Sequence, residues 1–339
     1  MSNSKRRKRR NPIGPIIAVL LFIAAMAGII LLISGLARGN SYKDNRAGAS
    51  SALSATPKDD LSVEPEPEPE PDPHEGMESI IIDNDEFVNG DLMLVNFDYG
   101  VPEKYEDADY PSIYGKGTPY VVRATDMYLQ PQALDALREM LSAAKEDGVK
   151  GMMIVDGYRL NSKQKSMFDR RVKNLVDEGM SKEDATAKVA ETVAYPGHSE
   201  HQIGLAVDVD LHEIEYEDFA ETKFAKWLAE NCYKYGYVLR YAADKTDITK
   251  IAYESWHFRY VGMGHAEYMQ KNNLCLEEYI DKLHNEGVIE FDSEEDRHYT
   301  VTYIEKSDGG ETECWIPENS EYTVSSDNVS GFVVLSWEK

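Results

Sequence analysis

The chain is 339 residues long, 42% hydrophobic and 29% charged, with a formal net charge of −25 at pH 7; this is room for one or two domains with appendages. The first 40 residues hold seven of the 36 basic residues and no acidic one, so the remainder carries 29 basic against 61 acidic residues, a balance of −32. A body so acidic argues against nucleic acid as the partner, because binding there means neutralising phosphates.

In chain order, a basic cluster (Lys5, Arg6, Arg7, Lys8, Arg9 and Arg10) precedes an uncharged stretch from Ile13 to Leu36 rich in Ile, Leu, Ala, Val, Met and Phe. About 20 apolar residues in a helix cross the hydrocarbon core of a membrane. A cleaved signal peptide is the competing reading, but its apolar core usually runs only about 7–15 residues. The length therefore predicts a transmembrane helix over 13–36. The positive-inside rule keeps the basic tail, residues 1–12, in the cytosol and puts everything from about residue 40 outside. Residues 37–79 contain the alternating run Glu64 to Pro73. Alternating proline and like charge builds no core and favours an extended chain of about 3.1 Å per residue, so this segment reads as a spacer.

Residues 80–290 carry the pattern of a folded domain. Pro131 to Asp147 has Leu134, Leu137, Met140, Leu141 and Ala144 on one face, opens on proline and closes at Gly148, which predicts a helix. A buried strand follows over 151–155, then helices over 161–179 and 181–194, the second opened by Ser181 and Asp184 as a capping pair. A strand over 205–211, a helix over 216–235 closed by Gly236, strands over 237–241 and 250–261, and a helix over 263–285 complete the domain. This succession without regular βαβ alternation predicts an α+β fold. Residues 291–339 form a small β appendage, with Ser307 to Gly310 as a turn between strands. No chemistry is evident in it. Cys232, Cys275 and Cys314 are too few and scattered for a metal ribbon or a disulfide framework; one pair bridging outside the cell and buried free thiols are both open.

Reactive groups concentrate in three stretches: Ser199-Glu-His-Gln-Ile-Gly-Leu-Ala-Val-Asp208, Glu254-Ser-Trp-His-Phe-Arg259, and Asp156-Gly-Tyr-Arg-Leu-Asn-Ser-Lys-Gln164. Zinc in a hydrolase takes three nitrogen or oxygen ligands from the protein and keeps a fourth position open. His201, Asp208 and His257 supply such a set, with Asp210 as the rival carboxylate on the same strand face. Glu254, three residues before His257, faces the same cleft; a carboxylate there can act as general base toward water and pass the proton to the leaving amine. Arg159 suits recognition of a free carboxylate, which the guanidinium fork binds bidentately, with a structural salt bridge as the alternative. Trp256 and Phe258 read as core, Arg240 and Arg259 as solvated or structural, and His198 as cleft rim.

Ser-x-His-x6-Asp followed downstream by Glu-x-x-His resembles the zinc D-alanyl-D-alanine carboxypeptidases and dipeptidases of the VanY and VanX type. The wording around Pro196 to Val209 and Trp256 to Gly262 is most similar to the VanY branch. The resemblance covers roughly residues 115–285 and implies a VanX- and hedgehog-like domain, a small mixed or antiparallel sheet with flanking helices. It implies further that His201, Asp208 and His257 bind Zn2+, that Glu254 is the general base, that Arg159 and Gln164 hold the terminal carboxylate of the substrate, and that Ser199 contacts its backbone. The chain has Asp156 and Leu160 where the family usually has serines. The implied activity is removal of the terminal D-Ala from peptidoglycan stem pentapeptides. An L,D-carboxypeptidase acting on tetrapeptide stems, an endopeptidase of the same fold and a wall-binding module without catalysis are the alternatives.

Overall fold

The computed structural model describes residue 72 and residues 74–106, 108–215 and 218–338. The basic tail, the apolar segment 13–36 and most of the proline-rich spacer lie outside the described residues. Among the described residues no helix is long and apolar enough to cross a membrane.

The strands are β1 (Met77–Asp83), β2 (Val121–Val122), β3 (Met152–Asp156), β4 (Ala206–Leu211), β5 (Tyr237–Leu239), β6 (His257–Tyr260), β7 (Val288–Asp292), β8 (His298–Glu305), β9 (Glu311–Pro317), β10 (Ser320–Ser326) and β11 (Gly331–Glu338). The helices are α1 (Pro131–Glu146), α2 (Asn161–Asp177), α3 (Lys182–Ala190), α4 (Lys223–Asn231), α5 (Thr246–Thr249), α6 (Met263–Lys271) and α7 (Leu276–Glu286). A five-stranded sheet of order β2-β3-β4-β6-β5 forms the centre. Its β2–β3 pair is parallel and the others are antiparallel, so the sheet is mixed and the fold α+β.

Alternation along β4 divides the two faces of this sheet. Val207 and Val209 join Ile154 and Phe258 in the main core, where the apolar stripe of α1 (Leu134, Leu137, Met140, Leu141 and Ala144) covers them. Asp208 and Asp210 fall on the other face, because successive strand side chains point to opposite sides. Helices α2 and α3 form a hairpin sealed by Phe168, Val172, Ala185 and Val189. Ser181 caps α3 by accepting the Asp184 N–H at 3.1 Å.

Three elements differ from the sequence pattern, the first being the helix expected over 263–285, which is two helices, α6 and α7, capped at Asn272 and Cys275 where they part. The strand expected over 250–261 forms only at His257–Tyr260. Residues 246–249 make a helical turn stopped by Lys250 at φ +62°, and the Ala252 N–H is drawn off to the Glu191 carbonyl at 2.7 Å. The helix expected over 216–235 is broken into Phe219–Glu221, α4 and Cys232–Tyr235, ending on left-handed Gly236. All three cysteines are buried free thiols, and burial pushes Cys232 and Cys275 up to about 12.

The C-terminal strands form an antiparallel sheet of order β10-β11-β8-β7, while β9 pairs with β1 along seven residues from Met77↔Pro317 to Asp83↔Glu311. Strand β11 is buried on both faces. Phe332 and Val334 pack with Ile82, Cys314 and Ile316, whereas Val333 and Leu335 pack with Ala266, Met269 and Tyr279 of α6 and α7. The β tail thus shares a core with the helices behind the central sheet and captures the strand that precedes it. Truncating a buried phenylalanine typically costs about 3–5 kcal/mol, so Phe332→Ala is expected to lower the unfolding free energy by that amount in a urea titration. A loss below about 1 kcal/mol would show that this core does not contribute to the cooperative fold.

Candidate active site

Strand register assembles the site. Asp156 lies opposite Asp208, and Asp208 lies opposite His257, on the adjacent strands β3, β4 and β6. His201 comes from a short helical turn, Glu200–Ile203, closed by Gly204 at φ +72°. A Cβ at Gly204 would sit 2.6 Å from the Tyr110 ring, so backbone conformation and space both require glycine. The turn is clipped to the end of β3: the Arg159 N–H donates to the His201 carbonyl at 3.0 Å, and His201 Nδ1 lies 2.8 Å from the Gly157 carbonyl.

That contact leaves His201 Nε2 facing Asp208 Oδ1 at 3.4 Å, while His257 presents Nδ1 to the same oxygen at 3.0 Å. The potential ligand atoms of His201, Asp208 and His257 lie within 4.8 Å of one another. Asp210, on the same strand face, falls outside this group; its carboxylate accepts the Leu211 N–H at 2.8 Å and lies 3.9 Å from Arg123. Glu254 Oε2 is 3.8 Å from His257 Nδ1. His198 turns to the Asn96 carbonyl, 2.7 Å from its Nδ1, and is no part of the cluster.

The electrostatics of the cluster call for a cation. Burial opposes a charge on His257, yet the Asp208 and Glu200 carboxylates outweigh it and raise its pKa to about 9. Asp208 is held far below the ordinary carboxylate range: burial pushes it up, but the two histidines pull it down further. Burial raises Glu254 to about 7, with His257 countering and Asp208 reinforcing the shift. Two imidazoles and a carboxylate in a setting that favours positive charge fit a divalent metal, and the nitrogen and oxygen donors suit zinc. A second observation agrees with this fit. His201 Nε2 and His257 Nδ1 face the same oxygen of Asp208, so three donor atoms stand close enough together for one ion to meet them all.

His201, Asp208, Glu254 and His257 line a cavity of about 570 Å³ together with Arg159, Gln164 and Ser199. Arg159 is buried and pinned on two sides. Its Nε and Nη2 donate to Asp156 Oδ2 at 3.2 and 2.8 Å, and its Nη1 donates to Gln164 Oε1. Gln164 is in turn fixed by donating from Nε2 to the Ala194 carbonyl at 2.7 Å. A guanidinium has five N–H donors; three are engaged, which leaves one on each terminal nitrogen for an incoming carboxylate. The salt bridge and the carboxylate clamp, alternatives from sequence, are thus compatible here.

Trp256, expected in the core, is instead 40% exposed and forms part of the cavity wall, while Phe258 is fully buried as expected. The residue pairing explains it: Trp256 precedes β6, and its carbonyl accepts the Val209 N–H at 3.1 Å, leaving its side chain on the cleft side. Arg240 and Arg259 are wholly buried and structural. Sequence reasoning did not single out Tyr241 and Arg171, which also line the cavity; neither sits in a motif, and only the folding of the loop after β5 and of α2 brings them in.

A buried two-histidine, one-aspartate cluster with a neighbouring glutamate poised near neutral pH, opening on a cleft, defines a metal-dependent hydrolase. A sequence profile described as VanY, D-alanyl-D-alanine carboxypeptidase, matches residues 126–263. YodJ of Bacillus subtilis (strain 168), assigned as a carboxypeptidase, is 35% identical over 280 residues that cover 79% of this chain and 96% of YodJ. A D-alanyl-D-alanine carboxypeptidase of Enterococcus faecium is 30% identical over 263 residues, covering 77% of this chain and 79% of that protein. The crystal structure of the vancomycin-resistance D,D-dipeptidase VanXYg with a D-Ala-D-Ala phosphinate analog superposes with a TM-score of 0.65 at 29% identity, covering 77% of this chain and 99% of that one. The chain belongs to the VanY D-alanyl-D-alanine carboxypeptidase family. The geometry separates the two candidate aspartates: Asp208→Ala is expected to abolish stoichiometric zinc in metal analysis of the purified protein, and Asp210→Ala to retain it. Zinc lost from the Asp210 variant and kept by the Asp208 variant would reverse the ligand assignment.

Proposed function

We propose that this protein is a zinc-dependent carboxypeptidase that removes the C-terminal D-Ala from peptidoglycan stem peptides ending in D-Ala–D-Ala. The observation that carries this reading is the presence, in one cavity, of a cation site and a buried arginine with two N–H groups to spare. The first suits hydrolysis and the second suits the end of a chain, since an endopeptidase has no terminal carboxylate to clamp. The substrate class comes from the family and from the relatives named above.

His201, Asp208 and His257 hold the metal, and zinc, when bound, supplies Lewis-acid chemistry that acidifies water and polarises a carbonyl. Glu254 acts as the general base. Its burial makes it a stronger proton acceptor than an ordinary carboxylate, which suits abstraction from water near neutral pH and return of the proton to the leaving amine. Arg159, oriented by Asp156 and Gln164, binds the terminal carboxylate, and Ser199 contacts the substrate backbone. Glu254 also weighs against a wall-binding module without catalysis, because a binder has no use for a buried base beside the ligands. The uncharged segment 13–36, the basic cluster before it and the proline-rich run after it support a single-pass anchor that holds this domain outside the cell membrane.

Purified protein is expected to release D-Ala from a defined pentapeptide stem and to stop doing so when a chelator removes zinc. Pentapeptide should be cut with higher catalytic efficiency than tetrapeptide, and a tenfold preference for the tetrapeptide would identify an L,D-carboxypeptidase instead. Glu254→Gln keeps the size of the side chain without its basicity, so zinc should remain while turnover falls by about 10²–10⁴-fold; a fall below tenfold would assign the base elsewhere. Protease added to intact wall-less cells is expected to digest the C-terminal domain, and protection of that domain would reverse the topology.

A further inference from the structure

Glu200 stands beside the ligand His201 in sequence yet does not line the cavity, and its side chain is wholly buried. Its two oxygens have different surroundings. Oε1 accepts from Arg240 Nε and from Arg259 Nη1, each at 2.7 Å. Oε2 has no hydrogen-bond partner and lies 3.6 Å from His257 Nε2, which is buried and likewise unpartnered. Had Glu200 served only to neutralise the two arginines, both oxygens would be expected to share them. Both arginines instead converge on one oxygen and leave the other directed at the imidazole.

The other nitrogen of His257, Nδ1, faces Asp208 within the ligand cluster. An imidazole that ligates a metal through Nδ1 carries its one remaining proton on Nε2. That proton points at Glu200 Oε2, so metal binding would turn two orphaned atoms into a donor and an acceptor. His201 is braced differently, by the neutral carbonyl of Gly157 at 2.8 Å from its Nδ1. We propose that Glu200 is a positioning residue of the metal site: its Oε2 accepts the Nε2–H of His257, fixing the tautomer and ring orientation of that ligand, while Arg240 and Arg259 hold the carboxylate in place. This rests on the reading that His201, Asp208 and His257 bind zinc. Partners of this kind typically contribute about 10–100-fold to metal affinity.

Two measurements on the full-length protein in detergent test the assignment. The first is zinc affinity by chelator competition for the parent, Glu200→Gln and Phe332→Ala, each checked for folding by circular dichroism. Glu200→Gln is expected to weaken zinc binding about 10–100-fold, whereas Phe332→Ala, destabilised at a distant core, should bind zinc as the parent does. A folded Glu200→Gln protein within threefold of the parent overturns the proposal, as does an equal loss in both variants. The second measurement needs no variant and decides the matter if Glu200→Gln does not fold. In zinc-loaded protein labelled with 15N-histidine, one metal-bound imidazole should show zinc on Nδ1 and a slowly exchanging, downfield Nε2–H. A fast-exchanging Nε2–H, or zinc on Nε2 of both histidines, overturns the proposal. A parent protein that binds no zinc would overturn the zinc reading itself, whereas bound zinc with either negative result overturns this inference alone.

Discussion

A carboxylate buried between two arginines sets where His201 and His257 can stand. Taking such ions out of water costs several kcal/mol each, and only close pairing with further hydrogen bonds offsets it. Here the pairing extends well beyond Glu200. Arg240 donates to both oxygens of Glu277 on α7 at 2.8 and 2.7 Å, and Arg259 donates to the carbonyls of Asp91 and Met93 at 2.9 and 2.8 Å. The turn bearing His201, the strand bearing His257, the helix behind the sheet and the segment before it are therefore tied through one network. Removing one member leaves an uncompensated buried charge, so the network resists drift of any of these pieces.

Against that frame of fixed ions, the sheet register does the finer positioning. Cross-strand neighbours on one face lie close enough for their side chains to meet, which is how Asp156, Asp208 and His257 come together from three strands. The opposite face of the same strands supplies Val207 and Phe258 to the core. A one-residue slip of β6 would exchange His257 for an apolar neighbour and destroy ligand cluster and core together. The cleft is also electrostatically distinct from the rest of the chain. Arg123, Arg159 and Arg171 line it against Asp156, Asp208 and Glu254, an even balance in a chain that carries a net charge of −25. Charges on the surface are screened within about 8 Å at physiological salt, so an entering carboxylate responds to the charges that line the cleft more than to the acids spread over the rest of the chain.

What the sequence makes legible follows from how local each feature is. The helices over α1 and α2, the capped start of α3, and the grouping of His201, Asp208 and His257 with Glu254 are readable because short-range pattern or a dense motif encodes them. The strand expected over 250–261 is not, because alternating residue types there do not reveal the left-handed Lys250 or the tie from Ala252 to Glu191. Trp256 misleads for a similar reason: its size suggests the core, and only its place just before β6 leaves it on the cleft wall. Asp156, a departure from the family's serine, gains meaning from its salt bridge to Arg159 at the end of β3, a contact that no residue pattern announces. The partnership of β1 with β9 is the least legible, since nothing near Met77 signals a strand over two hundred residues away.

That partnership governs the order in which the molecule can fold. Strand β1 precedes the whole catalytic sheet, yet its partner lies 240 residues later, from Met77 to Pro317. Contacts of such separation close late, because the entropy of closing the loop is lost before the pairing compensates it. While the chain is made from its N-terminal end, β1 has both edges open until the last segment is complete. Until their core partners arrive, Ile80 to Ile82 are a liability for association with other chains, and the growing protein is safest where its final strands arrive quickly. A tail without visible chemistry thus acts as a timer: the arrival of its strands marks the moment at which β1 first gains a partner.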